Sequence, residues 1–392
     1  MVTVEIKKTR ERAIQNRHPW IFSGAVHRAD GNGSFAQVVQ ADKQNVAWGL
    51  YNPKSQIRVR VIDFTPMPSN PERVIAERIR DAASMRREFL PAGTDAFRLI
   101  NGEGDGLPGV IADIYGDVMV VSTTCEGWER EREKLLFPAL KKAWGVRAVY
   151  LKDNVDIRSI EGLSSRDKWL SSFTVPMPID IHESGLTYRV HLLEGQKTGF
   201  FLDQRVNRVT FAGMAHGLDI LNAFCYTGAF SVAALKAGAQ HVTNVDSSLP
   251  ALDLAKDNHR INGIDETGYT LIRENAFEYL RYLYKNGKKF DAIILDPPGL
   301  CKSQSQVDKA SRAYKDVNMQ AMKLLRPGGL LMTFSCSGNI SPTLFRQIIF
   351  GAAKDVGVQA RILAQLGADW DHPISIYCPE SEYLKGLLLR LS

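Results

Sequence analysis

From residue 180 onward the chain repeats one pattern: a short apolar run, then a stretch with helical spacing, then another run. The runs read "GLDILNAF", "HVTNVDSS", "FDAIILDPP" and "GGLLMTFSC". Strands that are apolar along their whole length must be covered on both faces, and helices between them imply parallel pairing through crossovers. Such a layer gathers its ligands where the strands end at their carboxyl tips. The residues at four strand tips are therefore the ones that bear on function.

The earlier part of the chain has a different texture. "SFAQVVQAD", "NVAWGLYN" and "QIRVRVIDF" are short β runs separated by the turn signals Asp30-Gly31-Asn32-Gly33 and Asn52-Pro53. Strict alternation in the third sends Ile57, Val59 and Val61 one way and Arg58 and Arg60 the other. "FTPMPSNP" reads as a linker. "PERVIAERIRDAASMRREFL" then has helical spacing, a glycine-punctuated β segment follows, "EREREKLLFPALKKAW" is a further helix, and "VRAVYLKD" is a strand. At 392 residues the chain exceeds one ordinary core. An α/β protein of three parts is expected: a β-rich unit over 1–68, a central β-rich α/β unit over 72–178, and the doubly wound unit over 180–392.

Composition narrows the function classes. No apolar stretch is long enough for a membrane span, and "MVTVEIKKTRER" is not a secretory signal. The five cysteines, at 125, 225, 301, 336 and 378, form no C-x-x-C pair. That scatter suits a reducing cytosol and argues against a disulfide framework or a structural metal. A formal net charge of +6 is compatible with nucleic acid, although many enzymes share it.

The strand tips say more. After the first run, "LNAFCYTGAFS" holds only Gly228 in its turn, so the three-glycine dinucleotide fingerprint is absent. That turn suits a ligand without phosphate, or is an ordinary βα turn. The second run ends in Asp246, placed to accept both hydroxyls of a ribose. Its alternative role, capping the next helix, can be met by Ser247 or Ser248. The third run ends in Asp296-Pro297-Pro298, two prolines that stop the sheet and fix the backbone beside a carboxylate. The fourth closes with Ser335-Cys336-Ser337-Gly338. A cysteine at a strand's mouth between small residues is exposed to a flat ligand, whereas one used only for packing would sit inside the run. "GFFLD" at 199–203 has the pattern of a buried strand.

Together these residues resemble the class I S-adenosylmethionine-dependent methyltransferases, with "DILNAFCYTGAFS", Asp246 and "DPPG" in the places of that family's motifs. Further blocks, among them "RHPWIFSGAV", "LINGEGDGLPGVIADIYGD", "EGQKTGFFLDQR", "LDPPGLCKSQSQ" and "LLMTFSCSG", are similar in order to the bacterial RlmI-type 23S ribosomal RNA cytosine-C5 methyltransferases. The resemblance implies an N-terminal β-barrel-like PUA domain that binds RNA, the central domain, and a C-terminal Rossmann-like catalytic domain. It also implies a cytoplasmic homodimer with S-adenosylmethionine as cofactor. By the same resemblance Phe224, Tyr226, Thr227, Gly228 and Asp246 hold the cofactor. Asn275, where the family commonly has Asp, and Ala276 lie near its adenine, Lys197, Phe201 and Asp203 near its methionine end, and Asp296 beside both cofactor and base.

The chemistry implied needs a thiolate, because cytosine C5 becomes nucleophilic only after addition at C6. Cys336 fits that need and Asp296 fits the base's N3 and N4 edge. Cys301 has no expected role. Lys7, Lys8, Arg10, Arg12 and Arg17 cluster before "HPW", and with Arg58 and Arg60 they are candidates for phosphate contact or plain surface charge. Two other readings stay open: methylation of another ribosomal RNA atom, such as guanine N7 or an exocyclic amine, and a non-catalytic RNA-binding assembly factor.

Overall fold

A computed structural model describes residues 1–153 and 156–392. The chain divides into two compact units, the first comprising Met1–Ile179, His191–Phe200 and Trp370–Ser381, the second Asp180–Val190, Phe201–Asp369 and Glu382–Ser392. Two stretches of the 180–392 span thus pack with the first unit. Polar anchors hold them there: Lys152 Nζ donates to Leu192 O and Gly195 O at 2.7 Å, and Arg86 Nη2 donates to Asp371 O at 2.8 Å.

In the first unit, β1 (Val2–Ile6), β2 (Trp20–Phe22), β3 (Val26–Gly31), β4 (Phe35–Val39), β5 (Asn45–Tyr51) and β6 (Ile57–Asp63) form one sheet in the order β2-β6-β5-β4-β1-β3. Helix α1 (Arg12–Gln15) lies between β1 and β2. Alternation in β1 sends Val2, Val4 and Ile6 into a core with Ile21, Val38 and Val59. Strand β6 departs from the expected one-sided pattern, since residues 59–62 are all buried and Arg60 is covered too.

A five-stranded sheet follows, order β11-β10-β9-β8-β7, from β7 (Ala96–Asn101), β8 (Val110–Tyr115), β9 (Val118–Thr123), β10 (Ala148–Lys152) and β11 (Asp167–Trp169). Helix α2 (Pro71–Phe89) starts at a double signal: Asn70 accepts from Arg73 N at 3.0 Å, and Pro71 occupies the first position, where no N–H is needed. Its Ile75, Ile79, Ala82 and Ala83 recur at helical spacing and are buried against this sheet's core. The helix expected over 129–144 comes in pieces: α3 (Glu126–Glu131), a π turn (Arg132–Leu136) and α4 (Phe137–Ala143). Pro138 explains the break, because it cannot donate to a carbonyl one turn back and so falls in the first turn of a new helix. The short α5 (Asp156–Ile160) precedes β11.

The second unit opens with a hairpin of β12 (Ile179–Glu183) and β13 (Leu186–Val190). Residues 199–203 do not form the expected strand. Gly199 has φ +134°, Phe201 leaves extended geometry, and a 3₁₀ turn at Leu202–Gln204 leads into α6 (Arg205–Ala212). Then come β14 (Asp219–Ala223), α7 (Ala229–Lys236), β15 (His241–Asp246), α8 (Leu249–Ile261), β16 (Tyr269–Arg273), α9 (Ala276–Lys285), β17 (Phe290–Leu295), α10 (Val307–Leu324), β18 (Leu325–Ser335), α11 (Pro342–Val356), β19 (Ala360–Gly367) and β20 (Lys385–Leu391). The sheet order is β16-β15-β14-β17-β18-β20-β19, parallel from β16 to β18, with β20 antiparallel to both of its neighbours. The winding reverses between β14 and β17, the place where such sheets leave a crevice at their carboxyl edge.

Both faces are sealed. Leu221, Ile293, Leu295 and Leu331 share one core with Leu280, Tyr314 and Phe345, while Ile220, Ile294, Met332 and Phe334 share the other with Phe211 and Phe230. Among the described residues no helix is long and apolar enough to cross a membrane.

One polar chain crosses this interior. Asn222 Nδ2 donates to Asn244 Oδ1, Asn244 Nδ2 to Ser231 Oγ, and Ser231 lies 2.8 Å from His259 Nε2, whose Nδ1 lies 2.6 Å from Ala255 O. A neutral ring donating from Nδ1 satisfies every link. Burial therefore lowers the His259 pKa from 6.5 to about 4. The unfolded chain binds the extra proton between those values, so this stability is complete above about pH 6.5 and is lost as pH falls to about 4. Its size is on the order of 3 kcal/mol. Urea titrations at pH 7 and 4.5 are expected to show that loss, and His259→Gln to flatten it. An equal slope in the variant would refute the assignment.

Candidate active site

The turn after β14 is built from left-handed backbone: Phe224, Tyr226 and Gly228 have φ of 63°, 50° and 73°. Non-glycine residues rarely hold this region, so the surroundings must impose it. At Gly228 they also exclude a side chain, since a Cβ would meet Ala255 Cβ and His259 Cε1 at 3.1 Å. The tip of the next strand fastens the turn. Asp246 Oδ2 accepts from Tyr226 N at 2.9 Å, and Oδ1 accepts from Ser248 N at 2.9 Å. The half-exposed carboxylate keeps further acceptor capacity, having about four lone-pair directions. The cap of α8 falls to Ser248, whose Oγ accepts from Ala251 N. Thr227 contributes a buried hydroxyl with no hydrogen-bond partner among the described residues.

Phe201 stands edge-on to Tyr226 with ring centroids 5.2 Å apart. Asp203 is buried and accepts from Tyr383 Oη. Asn275 caps α9 by accepting from Phe277 N at 2.9 Å, which leaves its amide nitrogen free of that duty, and Ala276 beside it is buried. Lys197 lies exposed in the segment grouped with the first unit.

Strands β17 and β18 run side by side with Leu295 opposite Thr333, so their tips are adjacent. Asp296 is half-buried and accepts from Gln204 Nε2 at 3.0 Å. Cys336 Sγ lies 3.8 Å from Pro297 O, and a Cβ on Gly299 would sit 3.7 Å from the same sulfur. The loop after Asp296 therefore folds past the thiol. Of the five cysteines, Cys336 alone is not buried. Burial, and secondarily the charge of Asp246, pushes the Cys225 thiol well above its ordinary pKa. Cys301 is buried, with Sγ directed at Ser303 O. Behind Cys336, Ser337 Oγ accepts from Cys301 N and pairs with the Tyr314 hydroxyl at 2.9 Å.

The basic candidates separate. Arg17 is exposed and Arg58 half-buried. Arg60 is corrected: it is 3% exposed and donates to Glu161 at 2.6 Å, with Glu103 at 3.7 Å, so it does not face a phosphate. The second face of β6 is covered by the rest of the first unit, which alternation alone does not reveal. Arg60→Ala is expected to cost about 3 kcal/mol of folding stability by stranding buried Glu161. Denaturant midpoints check this, and an unchanged midpoint with weaker RNA binding would restore the phosphate role.

One set of metal-type donors, His18, Cys378 and Glu380, lies within 4.8 Å of one another. Trp20 N–H donates to His18 Nδ1, so Nε2 carries the proton that reaches Glu380 at 3.2 Å. That is a hydrogen-bonded pair.

Gln204, Tyr383, Tyr314 and Lys385 support this region without having been singled out in the sequence. Gln204 falls inside "EGQKTGFFLDQR", where its position just after Asp203 was the available signal.

The model of the S-adenosylmethionine-dependent methyltransferase family matches residues 143–358, and that of the PUA-like domain matches residues 4–64. Ribosomal RNA large subunit methyltransferase I of Shewanella denitrificans is 40% identical across 100% of this chain and 99% of its own length. The Aeromonas salmonicida protein of the same name is 39% identical across 99% of each. This chain belongs to that family. A solved Streptococcus mutans chain described as a SAM-dependent methyltransferase has the same fold, with TM-score 0.86 at 23% identity over 100% of both chains. A second solved structure, described as a methyltransferase complexed with SAH, has TM-score 0.88 at 23% identity and equal coverage.

S-adenosylmethionine is the family's cofactor, and the turn fits it. The donor set is a ribose-type acceptor at Asp246, aromatic edges at Phe224 and Tyr226, and an unspent Thr227 hydroxyl. No run of glycines opens a phosphate cradle, and the nearby Asp203, Asp246 and Asp296 suit a ligand with cationic groups.

Proposed function

We propose that the chain transfers the methyl group of S-adenosylmethionine to C5 of a cytosine in 23S ribosomal RNA, through a transient bond from Cys336 Sγ to C6. The single observation that carries this reading is the setting of Cys336. It is the one cysteine that is not buried, and it sits at the β18 tip with its sulfur against the loop that follows Asp296. Methylation of guanine N7 or an exocyclic amine has no use for such a thiol.

The cofactor, when bound, supplies an electrophilic methyl group. In this reading Asp246 takes the ribose hydroxyls, Phe224, Tyr226, Thr227 and Gly228 shape the surrounding turn, and Asn275 and Ala276 meet the adenine. Phe201 and Asp203 lie towards the amino-acid end, where a carboxylate matches an α-ammonium. Lys197 is not used.

The Cys336 thiolate adds to C6, and the ring electron pair moves to C5, which becomes the nucleophile. Asp296, held by Gln204, engages the N3 and N4 edge and stabilises the ring as its charge distribution changes. Once C5 carries the methyl group, a base takes the C5 proton. The released pair reforms the C5–C6 double bond and expels the thiolate. RNA capture falls to a PUA-like domain over 1–68, with Arg17 and Arg58 as phosphate contacts, beside a central domain over 72–178 and a catalytic domain over 180–392. A cytoplasmic homodimer completes the reading.

Ribosomal RNA carrying 5-fluorocytosine tests it, because fluorine at C5 cannot leave as a proton. The wild type is expected to form a cofactor-dependent adduct that survives a denaturing gel, and Cys336→Ala none. Methylation of ordinary RNA with no adduct from either protein would overturn the reading in favour of another ribosomal RNA atom.

A further inference from the structure

We infer that Lys385 is a positioning residue for Cys336, clamping the loop behind the thiol and serving as the counter-charge that holds it as thiolate. This inference rests on the nucleophile reading above. Lys385 opens β20 directly opposite Ser335, the residue before Cys336, in the antiparallel ladder. It is 4% exposed, an unusual fate for lysine. Its Nζ donates to Ser337 O and to Ile340 O, each at 2.7 Å, and so ties down the loop on the far side of Cys336.

Both acceptors are neutral carbonyls, and among the described residues no carboxylate forms an ion pair with this ammonium. A buried cation satisfied only by dipoles is costly. Had a carboxylate been paired with it, the charge would be neutralised at all times. With carbonyls alone, the charge is compensated when the neighbouring thiol gives up its proton to solvent. Burial lowers the Lys385 pKa to about 8, and the charges of Cys336 and Glu382 act in the opposite direction. The coupling is reciprocal, so the ammonium favours the Cys336 thiolate as much as the thiolate favours the ammonium. The other titratable groups at this loop, among the described residues, are the Tyr314 hydroxyl and the buried Cys301 thiol. The hydroxyl pairs with Ser337 Oγ; burial raises its pKa, and it also senses the charge of Cys336. The Cys301 thiol is directed at Ser303 O, while its backbone N–H donates to Ser337 Oγ.

The test is the pH dependence of Cys336 alkylation by iodoacetamide in the full-length protein, read peptide by peptide so that buried cysteines are counted separately. The wild-type midpoint is expected about one unit or more below the ordinary thiol value of roughly 8.5. In Lys385→Met it is expected to return to that value or above, with roughly tenfold slower alkylation at pH 7. Lys385→Arg, which keeps the charge, is expected to keep a low midpoint. A wild-type midpoint at or above the ordinary value overturns the inference, as does an unchanged midpoint in Lys385→Met with a native circular dichroism spectrum. Should Lys385→Met not fold, Lys385→Gln and the wild-type midpoint still decide. None of these readouts requires turnover. Retention of methyl transfer by Cys336→Ala would remove the nucleophile reading alone and leave the alkylation profile to report on Lys385.

Discussion

Replacing Cys336 by alanine is expected to reduce methyl transfer to ribosomal RNA by at least about 10³-fold, because in the proposed mechanism loss of the covalent nucleophile removes the route that activates C5. Folding should be nearly untouched. The side chain is half-exposed at a strand tip, and its contact with Pro297 O, at 3.8 Å, is a weak one. Cofactor affinity should also hold, since the turn after β14 is fastened by Asp246 and not by the thiol. Single-turnover transfer of labelled methyl, with calorimetry of cofactor binding on the same preparations, separates these effects. Activity within tenfold of the wild type, with cofactor still bound, would sink the thiolate mechanism.

Asp296→Asn is expected to lower kcat by roughly 10²-fold or more. The amide keeps an oxygen for Gln204 Nε2, so the geometry at the β17 tip survives while the charge is lost. If Asp296 acts on the base as the ring changes electronically, the loss falls on kcat. If it merely holds the cofactor, KM for S-adenosylmethionine rises and kcat stays. A pure KM effect would move Asp296 from the reacting base to the cofactor.

Much of this site could be read before any coordinates. Strands β14, β15, β17 and β18 occupy the middle of the sheet, where both faces are covered, and so they appear in the chain as apolar runs. Their tips carry Asp246, Asp296 and Cys336 because a run of that kind ends where the chain meets solvent or ligand. The outer strands were less legible. β16 at one edge has no fully buried residue, β19 at the other is largely exposed, and β20 is antiparallel, so neither period nor crossover announced them.

Arg60 and "GFFLD" show the limit from the other side. Alternation along β6 says that Arg60 faces away from Val59, but only the packing of the first unit buries it against Glu161. The apolar run at 199–203 says that Phe200 and Leu202 are buried, yet it is Gly199 and the following 3₁₀ turn that deny it a ladder.

What the chain determined by itself was periodicity and punctuation: a parallel sheet, its turns, and the chemical groups at four strand ends. Those depend on neighbours in sequence, through local steric preference and the need to bury apolar side chains. Tertiary structure alone decided which groups meet. Lys385 lies 49 residues beyond Cys336 in the numbering, and no local rule links them. They come together because β20 inserts beside β18 with Lys385 opposite Ser335. A buried ammonium next to a thiol is a product of strand pairing, which sequence spacing does not encode.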